Sequence, residues 1–137
     1  MAVIQELIRN EENGTISFGN YALDTKAKVS DFEHNGDLYK VKTFKEITKL
    51  ERNGMIVYES VPGTSVFDLD LEENDLTFKV EGTTSTQITL ELEAEREYKV
   101  YLDDTNIGKM KTNLGGKLVI SADLTEKEPT GVRVVRL

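Results

Sequence analysis

The sequence predicts an all-β fold, in which an N-terminal meander of β-hairpins is followed by a C-terminal immunoglobulin-like β-sandwich. The first supporting observation is the pair Asn-Gly, which occurs three times, at Asn13, Asn35 and Asn53. Asn-Gly is the preferred pair for a type I′ hairpin turn, because both residues tolerate positive φ angles. The second is alternation of apolar and polar residues from residue 87 to residue 97, which is typical of a strand with one buried face.

Two of the Asn-Gly pairs lie between segments that favour strands. The pair at 35–36 joins KAKVSDF to DLYKVKT, and the pair at 53–54 joins EITKLER to MIVYES. A two-residue turn at 53–54 places Leu50 opposite Val57. The third pair, at 13–14, closes the longer loop NEENG. The first half therefore reads as hairpins that reverse direction after short strands.

The segments VIQELI, at residues 3–8, and TFKEITKL, at 43–50, fit a helical stripe as well as a strand. Because strands dominate elsewhere, both are predicted to be strands. The segment SVPGTS combines proline with glycine, and it predicts a boundary between a hairpin meander at 1–64 and a sandwich at 65–137. One continuous domain is the open alternative.

The second half alternates more regularly. In QITLELEAERE the apolar residues share one face, and Glu91, Glu93, Glu95 and Glu97 share the other, which predicts one strand with a wet face. The segment TNLGGKLVISADL predicts a hairpin that turns near glycines 115 and 116. The segment VRVVRL predicts a final strand. The glutamate row fits a solvated surface better than the facing carboxylates that glycoside hydrolysis needs.

Composition narrows the possible functions. The chain has 137 residues, of which 38% are hydrophobic and 31% charged, as in a folded globular protein. Its net charge is −8 without an evident basic cluster, which argues against nucleic acid and anionic membranes as partners. It contains no cysteine, so disulfides and thiolate ligands are excluded. No secretory signal pattern is evident, and a cytoplasmic location is expected.

The run DLDLEENDL contains weak calcium candidates. Asp68, Asp70, Glu72 and Asn74 offer oxygens at alternate positions, as at the start of a calcium loop. The glycine and the distant glutamate of such a loop are missing, so no metal site is predicted. His34 is the only histidine, and it is predicted to lie in an exposed turn that suits catalysis poorly. No catalytic residue and no cofactor are expected.

Two segments, GDLYKVKTFKEITKLERNGMIVYESVPGT and YKVYLDDTNIGKMKTNLGGKLVISADL, resemble a group of short proteins of gut clostridia that carry the label endosialidase. The resemblance implies hydrolysis of sialic acid polymers. Sialidases characteristically combine tryptophan-containing Asp-box repeats with an arginine triad on a large propeller. Since this chain has no tryptophan and no such box, no catalytic residue carries over from the family.

The function expected from these observations is that of a non-catalytic structural or interaction protein that forms a homo-oligomer. The alternatives are a glycan-binding accessory module and an endosialidase-like glycan hydrolase. The segments MIVYES and VRVVRL are predicted to be poorly protected edge strands. Arg133 and Arg136 are predicted to meet the acidic band at residues 68–97 of a neighbouring subunit.

Overall fold

The computed structural model describes residues 2–72 and 74–137. This part of the chain consists of β-strands joined by turns and loops. About 61% of the chain is strand, and no helix occurs among the described residues. The strands of the first half are β1 (Ile8–Asn10), β2 (Ile16–Phe18), β3 (Ala27–His34), β4 (Asp37–Phe44), β5 (Ile47–Arg52) and β6 (Met55–Val61). Those of the second half are β7 (Ser65–Leu71), β8 (Asp75–Glu81), β9 (Ser85–Glu91), β10 (Glu97–Leu102), β11 (Thr105–Lys111), β12 (Lys117–Asp123) and β13 (Thr130–Arg136). The all-β class predicted from the sequence is confirmed.

The strands form two antiparallel sheets. One sheet has seven strands in the order β1-β2-β7-β8-β13-β10-β11, and the other has six in the order β12-β9-β6-β5-β4-β3. Apolar side chains from both sheets form a single buried cluster, which includes Phe18, Leu50, Tyr58, Phe78 and Ile120. The sheets therefore share one hydrophobic core between their inner faces.

The boundary predicted at residues 64 and 65 falls between β6 and β7, at the crossover from one sheet to the other. Both sheets contain strands from each side of it, because β2 pairs with β7 and β6 pairs with β9. Buried polar contacts also bridge the two ranges. The hydroxyl of Tyr21 donates to the carboxylate of Glu81 at 2.6 Å, and both side chains are buried. Neither range forms a sheet or a core of its own.

The Asn-Gly turns at 35–36 and 53–54 are confirmed as two-residue hairpin turns. Asn35 and Asn53 have φ angles of 50° and 51°, and each is followed by a glycine at 83°. The hairpin between β10 and β11 uses the same conformation without glycine, since Asp103 and Asp104 have φ angles of 47° and 66°. Aspartate is among the residues that tolerate the left-handed region best, which is why it replaces Asn-Gly here.

The predicted register of the 53–54 hairpin is wrong by one residue. Leu50 lies opposite Tyr58, not Val57, because a β-bulge between Leu50 and Glu51 leaves one extra residue on β6. Leu50 is 0% exposed and Tyr58 is 1% exposed, so the bulge keeps both side chains on the core face.

Two predictions for the second half are also wrong. The strand expected through residue 97 ends at Glu91, and Glu95 has a φ angle of 53° in the loop that follows. The four glutamates therefore do not share one strand face. The glycines at 115 and 116 do not form a hairpin, because β11 and β12 lie in different sheets and the loop between them connects one sheet to the other.

The segments at 3–8 and 43–50 were both predicted to be strands, and the prediction is correct for most of the second segment only. Residues 43–50 lie in β4 and β5 except for a two-residue turn at 45–46. Residues 3–7 precede β1 as coil and turn, so the strand predicted there begins only at Ile8. Among residues 2–72 and 74–137, no helix has the length and apolar character needed to cross a membrane.

Candidate interaction surface

The four edges of the two sheets differ in how well they are protected. At one side of the sandwich, β1 and β3 are tied together, because the amide of Asn10 donates to the carbonyl of Glu33 at 3.3 Å and its oxygen bonds Nδ1 of His34. At the other side lie β11 and β12. Three exposed apolar side chains lie in this part of the chain: Ile107 at 40%, Leu114 at 81% and Val119 at 47% exposure. This side is the less protected one.

The two segments that were predicted to be edge strands lie inside their sheets. The segment MIVYES forms most of β6, which lies between β5 and β9, and VRVVRL forms most of β13, which lies between β8 and β10. Sequence alternation identified them as strands correctly. Their position within a sheet depends on pairing with residues far along the chain, which a local pattern does not encode.

Of the described edge strands longer than three residues, β12 alone pairs without a bulge. Its seven residues match β9 in unbroken register, whereas β3 and β11 each contain an irregularity. Leu92 N donates to Gly116 O at 2.7 Å, and Leu124 N donates to Thr84 O at 3.4 Å. The even-numbered residues therefore bond to β9, and the backbone groups of Val119 and Ser121 point away from the sheet.

The outer face of the six-stranded sheet carries a concentration of positive charge. Lys28 lies directly opposite Lys42, and Lys42 lies directly opposite Lys49 on the next strand. Lys26 and Lys40 flank this row on the same face. We call these five side chains, Lys26, Lys28, Lys40, Lys42 and Lys49, the lysine face. No carboxylate among the described residues forms an ion pair with any of them.

The arrangement is electrostatically unfavourable in isolation. Like charges directly opposite each other on paired strands destabilise a sheet. The neighbouring ammonium groups, Lys26 first, together with slight burial, hold the pKa of Lys42 below its usual value. The expectation that the chain has no basic cluster is therefore wrong for the folded molecule. Alternate lysines in KAK and KVK were the available signal, because residues i and i+2 of a strand share a face.

Four of the lysines surround a shallow pit of about 130 Å³, which is lined by Lys28, Lys40, Lys42, Lys49 and Glu51. Glu51 lies opposite Lys40 across β4 and β5 and is the only acid in the lining. The pit is therefore a small depression lined by four cationic side chains and one acidic residue.

A larger groove of about 530 Å³ lies on the outer face of the seven-stranded sheet. Gly131 contributes no side chain to it, and the ring of Tyr101 and the carboxylates of Asp103 and Asp104 line it. Asp103 also accepts a hydrogen bond from Gly131 N at 2.8 Å, which ties the turn between β10 and β11 to the start of β13. The groove combines an aromatic surface with several hydrogen-bond acceptors.

The calcium candidates are not gathered into a site. Asp68 has a φ angle of 55° at a bulge in β7, and its carboxylate accepts from Thr15 Oγ1 at 3.1 Å. Asp70 lies opposite Thr77, while Glu72 and Asn74 fall in the turn after β7. Within the described ranges, no three His, Cys, Asp or Glu side chains come close enough together to hold a metal ion.

His34 does not lie in an exposed turn, as predicted, but is buried at the end of β3. It is 9% exposed, bonds Asn10, and makes an edge-to-face contact with Tyr39 at a ring distance of 5.7 Å. Burial lowers the pKa of His34, partly offset by the charge of Asp37. The hydrogen bond to Asn10 ties β3 to β1.

The predicted intermolecular arginine contacts are replaced by pairs within the chain. Arg133 bonds Asp75 at 2.9 Å, and Arg136 bonds Glu93 at 3.0 Å. Asp75 and Glu93 both belong to the acidic band, so the predicted charge complementarity is present but is satisfied inside one molecule. Being exposed, such pairs contribute little to stability.

Comparisons of this chain with protein-family models, with curated proteins and with solved structures find no match.

Proposed function

We propose that this protein is a non-catalytic interaction protein that forms a homodimer through β12. The observation that carries the proposal is the edge of β12, a seven-residue strand in unbroken register with an exposed valine and outward-pointing backbone groups. Such an edge is a template for pairing with another strand. Asn113 accepts from Lys117 N at 3.0 Å and so caps only the beginning of this edge.

The sequence of β12 is complementary to itself. Antiparallel pairing about a two-fold axis at Ile120 brings Val119 opposite Ser121 of the partner subunit, and both residues have free backbone donors and acceptors. The same register brings Lys117 opposite Asp123 of the partner subunit, twice per dimer. A contact that uses the same strand on both copies is isologous and closes as a dimer.

The first prediction concerns the mass in solution. Light scattering coupled to gel filtration is expected to give twice the 15.4 kDa of the chain. Ser121→Pro is expected to give a monomer, because it removes an outward N–H without breaking the ladder to β9. Gln87→Lys is the control, since Gln87 lies directly opposite Ser121 on the same face but one strand inside the edge.

Charge exchange tests the register. Lys117→Asp and Asp123→Lys are each expected to weaken self-association about tenfold, because two attractive cross-strand pairs become repulsive. An equimolar mixture of the two variants is expected to associate again, since each supplies the charge that the other lacks. A wild type that is monomeric at every concentration contradicts the proposal. A dimer indifferent to Ser121→Pro excludes β12 as its contact.

The groove beside Tyr101 supports a second candidate function, that of a glycan-binding module. An aromatic ring next to convergent acceptors offers a sugar both an apolar face and hydroxyl partners. Tyr101→Ala is expected to abolish any signal on a glycan array, whereas Tyr101→Phe is expected to retain it because the ring remains. Equal signals from wild type and Tyr101→Ala contradict this candidate.

The finer description of the fold is also a proposal. Residues 65–137 supply seven strands, which is the number in a constant-type immunoglobulin domain, although here they divide five and two between the sheets. In the first half, β3, β4 and β5 each pair with the next strand along the chain, which supports the hairpin meander. The cytoplasmic location stays a prediction.

A further inference from the structure

We propose that the lysine face is a binding site for a compact multivalent phosphate, of which inorganic triphosphate is the simplest example. The pit among the four lysines receives one phosphate group, and the surrounding ammonium groups contact the rest of the chain of phosphates. This site lies on β3, β4 and β5, so it is separate from β12 and independent of dimer formation.

The first argument is the concentration of like charge in the row, which ends where Glu59 lies opposite Lys49. Neighbouring strands are about 4.8 Å apart, so Lys28, Lys42 and Lys49 form a row of cations at close spacing. No described carboxylate forms an ion pair with the row. A bound polyanion attracts each lysine and so offsets their mutual repulsion. It also raises the pKa of Lys42 again.

The second argument concerns the size and chemistry of the ligand. The pit of about 130 Å³ suits a single tetrahedral oxyanion, and none of its lining residues is aromatic. It therefore offers no surface on which a nucleic acid base stacks. The net charge of −8 also repels a long polyanion that extends beyond the face. Both observations favour a short phosphate chain over nucleic acid.

The third argument is the position of Glu51. Glu51 lines the pit together with the four lysines, and its negative charge reduces the positive potential there. Removing this charge is expected to strengthen binding, while removing a lysine is expected to weaken it. Opposite effects from adjacent positions distinguish a site from general damage to the fold.

Isothermal titration of the full chain with inorganic triphosphate at low salt tests the proposal. Lys42→Gln combined with Lys49→Gln is expected to weaken binding at least tenfold, and Glu51→Gln to strengthen it several-fold. Lys109→Gln combined with Lys127→Gln removes the same two charges from exposed positions outside the face, and it is expected to change the affinity less than twofold. Orthophosphate is expected to bind more weakly than triphosphate.

Three results overturn the proposal. The first is no heat or chemical-shift change with triphosphate at low salt. The second is an equal loss of affinity in Lys109→Gln with Lys127→Gln and in Lys42→Gln with Lys49→Gln, which indicates that only the net charge of the protein matters. The third is binding to phosphatidylserine vesicles without binding to triphosphate, which identifies the face as a membrane-contacting surface instead.

Discussion

Thr64→Val is expected to lower the free energy of unfolding by about 2–4 kcal/mol, although the two side chains have nearly the same shape. Thr64 is 0% exposed and lies in the crossover between β6 and β7. Its hydroxyl bonds the hydroxyl of Tyr58 at 2.7 Å and that of Ser60 at 2.8 Å. Valine leaves both hydroxyls buried without a partner, and each orphaned group costs about 1–3 kcal/mol.

The network around Thr64 fixes the crossover from several directions. Thr64 N donates to Thr48 Oγ1 at 3.0 Å, and Thr48 Oγ1 donates to Thr64 O at 2.8 Å. The hydroxyls of Thr43 and Thr48 are hydrogen-bonded at 2.8 Å, and Thr43 Oγ1 also accepts from Asn20 N at 2.9 Å. Within the described part of the chain, every buried side-chain N or O atom has a partner. The network is fully satisfied, so removing one member has a large effect.

Urea denaturation followed by circular dichroism measures the loss. Thr86→Val is the matched control, because Thr86 is 3% exposed but donates only to the nearby carbonyl of Thr84. It is expected to cost about 1 kcal/mol. Adding Tyr58→Phe and Ser60→Ala to Thr64→Val is expected to restore part of the stability, since the orphaned hydroxyls are then absent. A triple variant whose loss equals the sum of three single losses contradicts the coupling.

The success of the sequence in predicting turns, and its failure in predicting edges, have one physical cause. The turns at 35–36 and 53–54 are set by the φ preferences of two adjacent residues, so the local sequence suffices. The division of strands between two sheets depends on pairings such as β8 with β13, whose partners are about fifty residues apart. Period-two alternation identifies a strand and its buried face, but not its neighbours.

The candidate site follows the same distinction. Alternation of lysines placed Lys26 with Lys28, and Lys40 with Lys42, on the outer face of their strands. Net charge concealed the cluster, because the five lysines come from three separate segments of an acidic chain. For Arg133 and Arg136, the sequence located the acidic partners correctly in the band at 68–97. It did not reveal that these partners belong to the same molecule.

Gly116→Ala is expected to cost about 3–4 kcal/mol, more than the same substitution at Gly54. Both glycines have positive φ angles, 78° at Gly116 and 83° at Gly54, so alanine is strained by about 1–2 kcal/mol at each. They differ in the space around them. A Cβ atom at Gly54 meets nothing within 4 Å, whereas one at Gly116 lies 2.2 Å from the carbonyl oxygen of Leu92.

Leu92 and Gly116 also form the backbone hydrogen bond that precedes the pairing of β9 with β12. Leu92 N donates to Gly116 O at 2.7 Å. A methyl group at residue 116 pushes the Leu92 backbone away and therefore also weakens this bond. Overpacking of this kind costs about 1–3 kcal/mol beyond the φ strain. Urea denaturation of both variants measures the difference. Hydrogen exchange is expected to show faster opening at Leu118 in Gly116→Ala but not in Gly54→Ala, because only the former loosens the start of β12. Equal losses of stability in the two variants contradict the close approach and leave the φ angle as the whole effect.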